Sequence, residues 1–341
     1  MNLEEPMKVS VIIPCYNEQG YIYRCVDSIC SNLRLVDYPF EIIVVDGGSS
    51  DGTLSELERA ASDFHRVTLR VLHNPHRYQV HALNIGIEAA AGHYIVRCDA
   101  HSIYPPGYID RLVGLLELAE EDVGNVGTPH VSSPGADTAM ARCISVAMTS
   151  PVAVGISHRS LVCKEPMQVD TLLFGAWKKS VLEKVGNFDT RFIRGQDLEH
   201  NLRLAANGYK AVLHPGAPFT FFTRPTLPKL NLMIRQYAAA KVEIAAHTRS
   251  RPVVRGLIPL AFFVSLIGLL FTPMHWVLPT TYGLAILVYS SWTAIARKSA
   301  ELLRLALVIP SMHINHAMGT AQGIWSTLLR KRGPTKWSGT R

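Results

Sequence analysis

The stretch Tyr94-Ile95-Val96-Arg97-Cys98-Asp99-Ala100-His101 decides how the rest of the sequence is interpreted. An apolar run typical of a buried strand stops abruptly at an acid, a small residue and a histidine. Because Asp99 and His101 lie two residues apart just past a strand end, both side chains can turn to one side of the loop. They then offer a carboxylate oxygen and an imidazole nitrogen to one divalent cation, which could hold a diphosphate. Turn formation is the alternative role for both residues.

Strands and helices alternate regularly around this stretch. The predicted helices are Tyr21–Leu33, Leu54–Ala61 and Val80–Ala91, and the predicted strands are Lys8–Pro14, Phe40–Val45, Val67–Leu72 and His93–Cys98. This order predicts an α/β fold with a mainly parallel sheet and helices on both faces. In such sheets the ligand lies off the carboxyl ends of the strands. A last strand is predicted at Lys210–His214, and an apolar run with an acid at its head predicts another at Asp170–Trp177.

The predicted rim collects polar side chains from loops that are far apart in sequence: Tyr16, Glu18, Asp46, Asp51, Asp99 and His101. A carboxylate such as Asp46 can accept a hydrogen bond from the N3–H of a uracil ring, and Tyr16 can stack on that ring. As a set these residues favour a nucleotide site, although Asp46 and Asp51 could individually be turn and cap residues. The chain has no GxGxxG after its first strand and no GxxxxGK[ST], which argues against a dinucleotide fold and a P-loop.

One further polar residue precedes the third predicted helix, and another lies on it. Arg77 precedes it and could pair with a phosphate oxygen, or it could be a solvated surface arginine. Asn84 lies on the helix and could point towards the site or be a surface amide.

A second group of polar residues begins a later helix. Asp197 lies near the start of the helical pattern in Arg194–Leu204, where the helix dipole favours an ionised carboxylate. A carboxylate that faces a bound donor there could take a proton from an attacking hydroxyl. Simple capping of the helix is the alternative role. Gln196 beside it and Asp170 are the predicted acceptor-side residues.

Composition narrows the class of protein and its partners. The formal net charge is +7 over 341 residues, which suits nucleic acid, anionic lipid or phosphorylated substrates. The six cysteines show no CxxC pair and no zinc spacing, so we interpret them as reduced core residues of a cytosol-facing domain. We expect no nucleic-acid partner, and we see no secretory leader.

Apolar residues dominate after about residue 250. We therefore predict a catalytic domain at 1–225, an amphipathic connecting helix at 226–252, membrane helices at 253–329 and a basic tail at 330–341. Within the membrane region, 256–271 and 276–296 are apolar runs without a charged residue, and they are predicted to form a hairpin, followed by a third apolar segment. Flanking basic residues predict that both ends of this region, and the domain at 1–225, lie on the cytoplasmic side of the cell membrane.

Several blocks of the sequence resemble the family-2 inverting glycosyltransferases with a GT-A fold. The matching blocks are Val11–Glu18, Val45–Thr53, Ala82–Gly86, Asp99–His101 and Gly195–Glu199. Within that family the chain looks most like the succinoglycan-type exopolysaccharide glucosyltransferases, which carry Asp-Ala-His for Asp-x-Asp and Gln-Asp for Glu-Asp.

This resemblance implies a role for each residue. Asp99 and His101 would bind Mg²⁺ or Mn²⁺ with the diphosphate, and Asp197 would be the catalytic base. The nucleotide sugar would be bound by Pro14, Tyr16, Glu18, Asp46, Asp51, Arg77, Asn84 and Asp99. Processive synthases of the family carry a QxxRW motif, whereas the comparable stretch here is Arg235-Gln236-Tyr237-Ala238-Ala239. Single-sugar transfer is therefore the expected outcome.

The expected function is transfer of one sugar, glucose, from a UDP-sugar to a lipid-diphosphate-linked saccharide at the inner leaflet. Two alternatives come from other classes of protein. One is a membrane-anchored nucleotide-sugar-binding protein without catalysis, against which the intact set of Asp99, His101 and Asp197 argues. The other is a nucleotidyltransferase, which would want more carboxylates around two metals.

Overall fold

The structure, a computed structural model, describes residues 8–32, 38–65, 67–155, 163–250 and 254–329. The chain divides into two compact units. Of the described residues, the first unit comprises those within 8–131 and 163–221, and the second comprises 132–155, 222–250 and 254–329. The predicted basic tail at 330–341 lies outside the described residues.

The strands of the described residues form two sheets. In chain order they are β1 (Val9–Cys15), β2 (Phe40–Asp46), β3 (Thr68–His73), β4 (Tyr94–Arg97), β5 (Ser102–Ile103), β6 (Val123–Gly127), β7 (His130–Ser133), β8 (Met167–Gln168), β9 (Gly175–Lys178), β10 (Lys210–Leu213) and β11 (Phe219–Phe222). The larger sheet has the order β3-β2-β1-β4-β9-β6-β10-β8, and the smaller has the order β5-β11-β7. The larger sheet lies wholly within the first unit.

Most of the larger sheet is parallel, as the alternation of strands and helices predicts. β1 pairs in parallel with β2 and β4, β2 with β3, and β10 with β6. β9 runs antiparallel to both β4 and β6, and β8 runs antiparallel to β10. The predicted strand at Asp170–Trp177 is wrong in its first half, because Phe174 (φ 67°) and Gly175 (φ 126°) leave the extended region and the strand begins only there.

The helices in chain order are α1 (Ile22–Asn32), α2 (Thr53–Asp63), α3 (Gln79–Ala89), α4 (Tyr108–Leu118), α5 (Ala139–Thr149), α6 (Pro151–Val154), α7 (Lys179–Val185), α8 (Gln196–Ala206), α9 (Leu227–Thr248), α10 (Ile258–Leu269), α11 (Val277–Ala296) and α12 (Leu305–Leu329). In the first unit they cover both faces of the larger sheet. Successive side chains of a strand point to opposite faces. Val11 and Ile13 accordingly pack with α1, α2 and α4, whereas Ile12 packs with α3, α7 and α8.

The central strand β1 is buried along its whole length. Pro14, which we expected to end it, lies inside it opposite Val45, and the strand ends one residue later at Cys15. Continuous burial on both faces explains why this strand is apolar apart from Ser10 instead of alternating.

Helices α9 and α12 pack closely in the second unit. A β-carbon at Gly319 would overlap the main-chain oxygen of Arg235, and one at Gly323 would lie 2.7 Å from that of Ala239. Polar side chains join the same two helices, including Ser311 Oγ, which donates to Asn231 Oδ1 at 2.6 Å. Glycine at both α12 positions therefore permits the two backbones to approach.

In the described part of the chain, no helix is both long enough and apolar enough to cross a membrane. The prediction of membrane-spanning helices at 253–329 is therefore not met. The first predicted span becomes α10, which has 12 residues, whereas a spanning helix needs about 20. The second becomes α11, whose 20 residues include threonine, tyrosine and serine side chains.

Candidate active site

The carboxyl ends of β1, β2 and β4 meet at one edge of the larger sheet. The register places Cys15 opposite Asp46, and Arg97 opposite Ile12 three residues before the end of β1. The loops after these strands therefore leave the sheet side by side. The predicted rim residues of all three loops lie at this edge, as the parallel pairing requires.

Tyr16, Gly47 and Arg77 form one side of the rim. The Arg77 guanidinium carbon lies 5.5 Å from the centre of the Tyr16 ring. A β-carbon at Gly47 would lie 3.0 Å from the Arg77 main-chain oxygen and 3.3 Å from the Tyr16 ring, so a larger residue there would push the loops apart. Arg77 itself has a positive φ of 65°, and its guanidinium lies over the tyrosine ring. An aromatic face and a cation are thus placed together beside the end of β2.

The acids of the loop after β2 fold that loop. Asp46 is buried, and its carboxylate accepts hydrogen bonds from Gly48 N (2.9 Å), Ser49 N (3.0 Å) and Ser49 Oγ (2.5 Å). A carboxylate offers about four acceptor sites. Asp46 therefore keeps about one for a ligand.

Asp51 lies at the exposed end of the same loop. It accepts from Thr53 N (3.0 Å), from Gln19 N (3.3 Å) and from the Thr53 hydroxyl. Partial burial raises the pKa of Asp51, but these hydrogen bonds lower it by more, so the net pKa lies below its ordinary value. The carboxylate stays ionised and holds the start of α2 against the Gln19 loop.

Asp99, His101 and Glu18 form the centre of the rim. Their exposed fractions are only 4%, 5% and 6%, so three polar groups share a nearly dry corner. His101 Nδ1 lies 3.3 Å from Glu18 Oε1 and 3.7 Å from Asp99 Oδ1. The structure thus adds Glu18 to the pair that the sequence predicts. Among the described residues no group of three or more His, Cys, Asp or Glu side chains has the arrangement of a complete metal site. Asp99 and His101 are thus two neighbouring groups of types that can bind a divalent cation.

Asp197 begins the next part of the site. α8 starts after Gly195, whose φ of 74° is left-handed, and Asp197 lies in its first turn. The Asp197 carboxylate forms an ion pair with the guanidinium of Arg97, the last residue of β4. Asp197 is thus more than a helix cap, because its side chain reaches the strand end that carries Asp99.

A chain of amides connects the same two elements. Gln79 Nε2 lies 3.3 and 3.4 Å from the two carboxylate oxygens of Asp99. Gln79 Oε1 accepts from Gln196 Nε2 at 2.8 Å. The sequence places the stretch His76–Gln79 near the predicted diphosphate, but it assigns no role to Gln79 or to Arg97. Both follow or precede predicted site residues by only two positions, which is the one local signal that they carry.

Two predicted site residues have other surroundings. The Asn84 amide is engaged at both ends by the backbone of Phe188, accepting from its N (3.0 Å) and donating to its O (2.8 Å), so it fixes that turn. Asp170 is exposed and lies between β8 and β9. Gln196 is buried and reaches the Asp99 corner through Gln79.

Known proteins resemble this chain in sequence and in fold. The family described as glycosyl transferase family 2 matches residues 10–184. A dolichyl N-acetyl-α-D-glucosaminyl phosphate 3-β-D-2,3-diacetamido-2,3-dideoxy-β-D-glucuronosyltransferase of Methanococcus voltae is 26% identical over 321 residues, covering 93% of this chain and 97% of that protein. The succinoglycan biosynthesis protein ExoA of Rhizobium meliloti (strain 1021) is 26% identical over 334 residues, covering 94% of each chain.

A solved structure supports the fold. The mannosyltransferase PcManGT from Pyrobaculum calidifontis, in complex with GDP-Man and Mn²⁺, aligns with a TM-score of 0.55 at 24% identity. The alignment covers 96% of this chain and 90% of the mannosyltransferase, and at that identity it shows the fold alone. Both the GT-A fold and the family resemblance that the sequence motifs predict are confirmed. Since the family match spans 175 of the 341 residues and the mainly parallel sheet is the one that this fold requires, the chain is a glycosyltransferase and belongs to glycosyl transferase family 2.

Proposed function

We propose that this enzyme transfers one sugar, glucose, from a UDP-sugar to a lipid-diphosphate-linked saccharide, with inversion at the anomeric carbon. The observation that carries the proposal is a hydrogen-bonded link between Asp99 and the first turn of α8. Asp99 and the first turn of α8, which bears Asp197, are joined through Gln79 and Gln196. An acid suited to the leaving diphosphate and an acid suited to the attacking hydroxyl therefore belong to one site.

The uridine would lie on the Tyr16 side of the rim. Tyr16 supplies an aromatic face, and Asp46 retains about one acceptor site for the N3–H of uracil. Arg77, held over Tyr16, is positioned to pair with a phosphate oxygen. Asp51 would act indirectly, by keeping the loop that carries Asp46 in shape.

Asp99 and His101 would hold the divalent cation. One carboxylate oxygen and one imidazole nitrogen make a mixed ligand pair, which suits Mn²⁺ better than Mg²⁺, because Mg²⁺ prefers oxygen ligands. When bound, the cation would neutralise charge on the leaving diphosphate. Glu18, 3.3 Å from His101 Nδ1, would orient the imidazole.

Asp197 would be the general base. Its carboxylate would take the proton of the acceptor hydroxyl while the hydroxyl oxygen attacks the anomeric carbon from the face opposite the diphosphate. The bond between that carbon and the diphosphate oxygen breaks as the new bond forms, which inverts the configuration. The buried Arg97 beside Asp197 favours the ionised carboxylate that this step requires.

The second unit would associate with the lipid that carries the acceptor. Large apolar side chains are strongly exposed on its helices and turns, among them Phe271, Trp276, Trp292 and Trp325. Exposed apolar patches of this kind mark interaction surfaces. Exposed Arg297 and Lys298 follow α11 and would suit anionic headgroups. We propose that the enzyme acts at the inner face of the cell membrane with its catalytic unit in the cytoplasm. The dolichyl-linked phosphate in the name of the Methanococcus relative supports a lipid-linked acceptor.

The test is a transfer assay with the full chain, a panel of UDP-sugars and a membrane lipid extract, with and without Mn²⁺. We expect UDP release and sugar in the lipid phase for UDP-glucose, and a β-linked product from the α-linked donor by NMR. Asp197→Asn should abolish transfer yet still bind UDP. Asp189→Asn, a control whose partly buried carboxylate pairs with Arg191, should keep transfer. Release of sugar 1-phosphate instead of UDP would indicate a nucleotidyltransferase, and transfer from no donor would refute the proposal.

A further inference from the structure

The strand that leads to Asp99 ends in a buried cation. Arg97 is the last residue of β4, and its side chain is 2% exposed. An isolated charge removed from water is strongly unfavourable, so such a residue requires a compensating partner. Val96, which precedes it in the strand, and Cys98, which follows the strand, are apolar or small, so the arginine is the one charged residue of β4.

The partner of Arg97 is the carboxylate that we propose as the base. The guanidinium of Arg97 and the carboxylate of Asp197 form an ion pair across 100 positions of sequence. The same guanidinium carbon lies 5.0 Å from the centre of the Phe174 ring, which supports it from another side. Phe174 is held there by its own left-handed backbone and by Gly175, where a β-carbon would overlap Asn125. The guanidinium of Arg97 therefore contacts both the Phe174 ring and the Asp197 carboxylate.

The backbone of Asp197 is held as well. Its carbonyl oxygen accepts from Asn201 Nδ2 at 2.8 Å. Asn201 Oδ1 in turn accepts from Asn125 Nδ2 at 3.0 Å, and both asparagines are buried. The main chain of Asp197 is thus tied to β6, and its carboxylate is tied to β4.

Together these contacts connect α8 to the end of β4 at two adjacent residues. Asp197 reaches Arg97 directly, and Gln196 reaches Asp99 through Gln79. Misplacement of a reacting group by about 1 Å can cost about a hundredfold in rate. The doubled connection therefore holds the base at a set place relative to the diphosphate end of the site.

We propose that Arg97 is a positioning residue of the transfer reaction, which acts by orienting the Asp197 carboxylate towards the acceptor hydroxyl. The inference rests on the proposed function, because it takes Asp197 as the base. It goes beyond that function in assigning a kinetic role to a residue that neither reaches the nucleotide rim nor belongs to the predicted set. Arg97 is distinct from the Asp99 corner in what it contacts, so its loss should spare donor binding.

The experiment compares Arg97→Gln and Arg97→Lys with the wild-type chain. Transfer rates are measured at saturating donor and divided by the fraction of protein that binds UDP, obtained by calorimetric titration. The matched control is Arg203→Gln, which removes another arginine ion pair from the same helix, between Arg203 and Glu199. Thermal unfolding of every variant records the structural effect. If Arg97→Gln fails to fold, Arg97→Lys still tests the proposal, because lysine retains the charge that pairs with Asp197.

We expect kcat to fall about a hundredfold in Arg97→Gln, with the affinity for UDP unchanged to within about twofold. Arg97→Lys should recover about tenfold of that loss, because lysine keeps the positive charge. The recovery should be incomplete, because a point charge replaces the planar fork of the guanidinium. Arg203→Gln should lower the unfolding temperature but leave kcat within about twofold of wild type. A kcat near wild type in both Arg97 variants, or a loss of UDP affinity parallel to the loss of kcat, would overturn the inference. Absence of transfer in the wild-type chain would instead refute the proposed function, and the two failures are separable because the second is seen without any mutation.

Discussion

Asp197→Asn is expected to lower the free energy of unfolding by about 3 kcal/mol, apart from its effect on transfer. The Arg97 side chain is 2% exposed, whereas that of Asp197 is 17% exposed. Removal of one partner from a buried ion pair costs about 3–5 kcal/mol, since the remaining charge stays buried without compensation. The partial exposure of Asp197 places the expected value at the lower end of that range, because water can reach the position that the carboxylate leaves.

Urea unfolding of the full chain at neutral pH measures this value, and two further variants identify its origin. Glu199→Gln removes the partner of Arg203 on the same helix, but Arg203 is 25% exposed and also donates to the carbonyls of Val185, Gly186 and Asn187. That control should cost only about 1 kcal/mol. Adding Arg97→Met to Asp197→Asn removes the uncompensated charge and should restore part of the lost stability.

Two results would refute this reasoning. One is an Asp197→Asn variant whose stability lies within about 0.5 kcal/mol of wild type, the usual range for a surface substitution. The other is a double variant that is less stable than Asp197→Asn alone. Either result would mean that Arg97 is compensated by something other than Asp197. The prediction also affects every activity assay of Asp197→Asn, since its rates are meaningful only per molecule that still binds UDP.

Three further predictions concern packing, pH and the metal. Gly319→Leu should separate α9 from α12 and lower the unfolding temperature, at a cost of about 1–3 kcal/mol. Gly283→Ala, with open space at its β-carbon, should instead stabilise α11 by about 0.5–1 kcal/mol. Equal effects of the two substitutions would contradict the packing argument. Burial raises the pKa of Glu41, but hydrogen bonds from Ala91, Ser10 and Arg70 lower it by more, to below 4.5. The stability that Glu41 contributes is therefore present above pH 4.5 and is lost as the pH falls through its folded pKa. In urea unfolding, the stability of Glu41→Gln should therefore depend less on pH in that acidic range than the stability of the wild type. An unchanged dependence would mean that other groups cause the acid sensitivity. His101→Ala should raise the Mn²⁺ concentration for half-maximal transfer by about tenfold or more, as measured by titration after chelation, and an unchanged requirement would remove His101 from the metal site.

Much of the first unit could be predicted because the signals are local. Apolar runs of about six residues that alternate with helical patterns indicate a parallel sheet, and the parallel sheet brings its carboxyl ends to one edge. The strand at Phe40–Asp46 and the helix at α8 follow directly from such patterns. The break before β9 could not be predicted in this way, because Leu172, Leu173 and Phe174 are as apolar as a strand, and only the left-handed backbone at Phe174 and Gly175 interrupts it.

The second unit was the least predictable part of the chain. Uninterrupted apolarity predicts membrane helices whether the side chains face lipid, a partner or a small core. In the structure, Leu305, Val308 and Ile309 are buried against their own unit, whereas Trp276 and Trp292 are exposed. Composition alone does not separate these two groups, since the separation depends on which face of each helix meets a neighbour.

The sequence by itself determined the family, the alternation of strands and helices, and the edge of the sheet at which the site lies. These properties follow from periodicity and from short motifs, which are formed by residues close together in the sequence. Only the tertiary structure decided which side chains meet there. Glu18 approaches His101, Gln79 joins Asp99 to Gln196, and Arg97 pairs with Asp197. The last two contacts span 117 and 100 positions, and no local pattern specifies a partner at such a distance because the folded sheet alone brings the two side chains together.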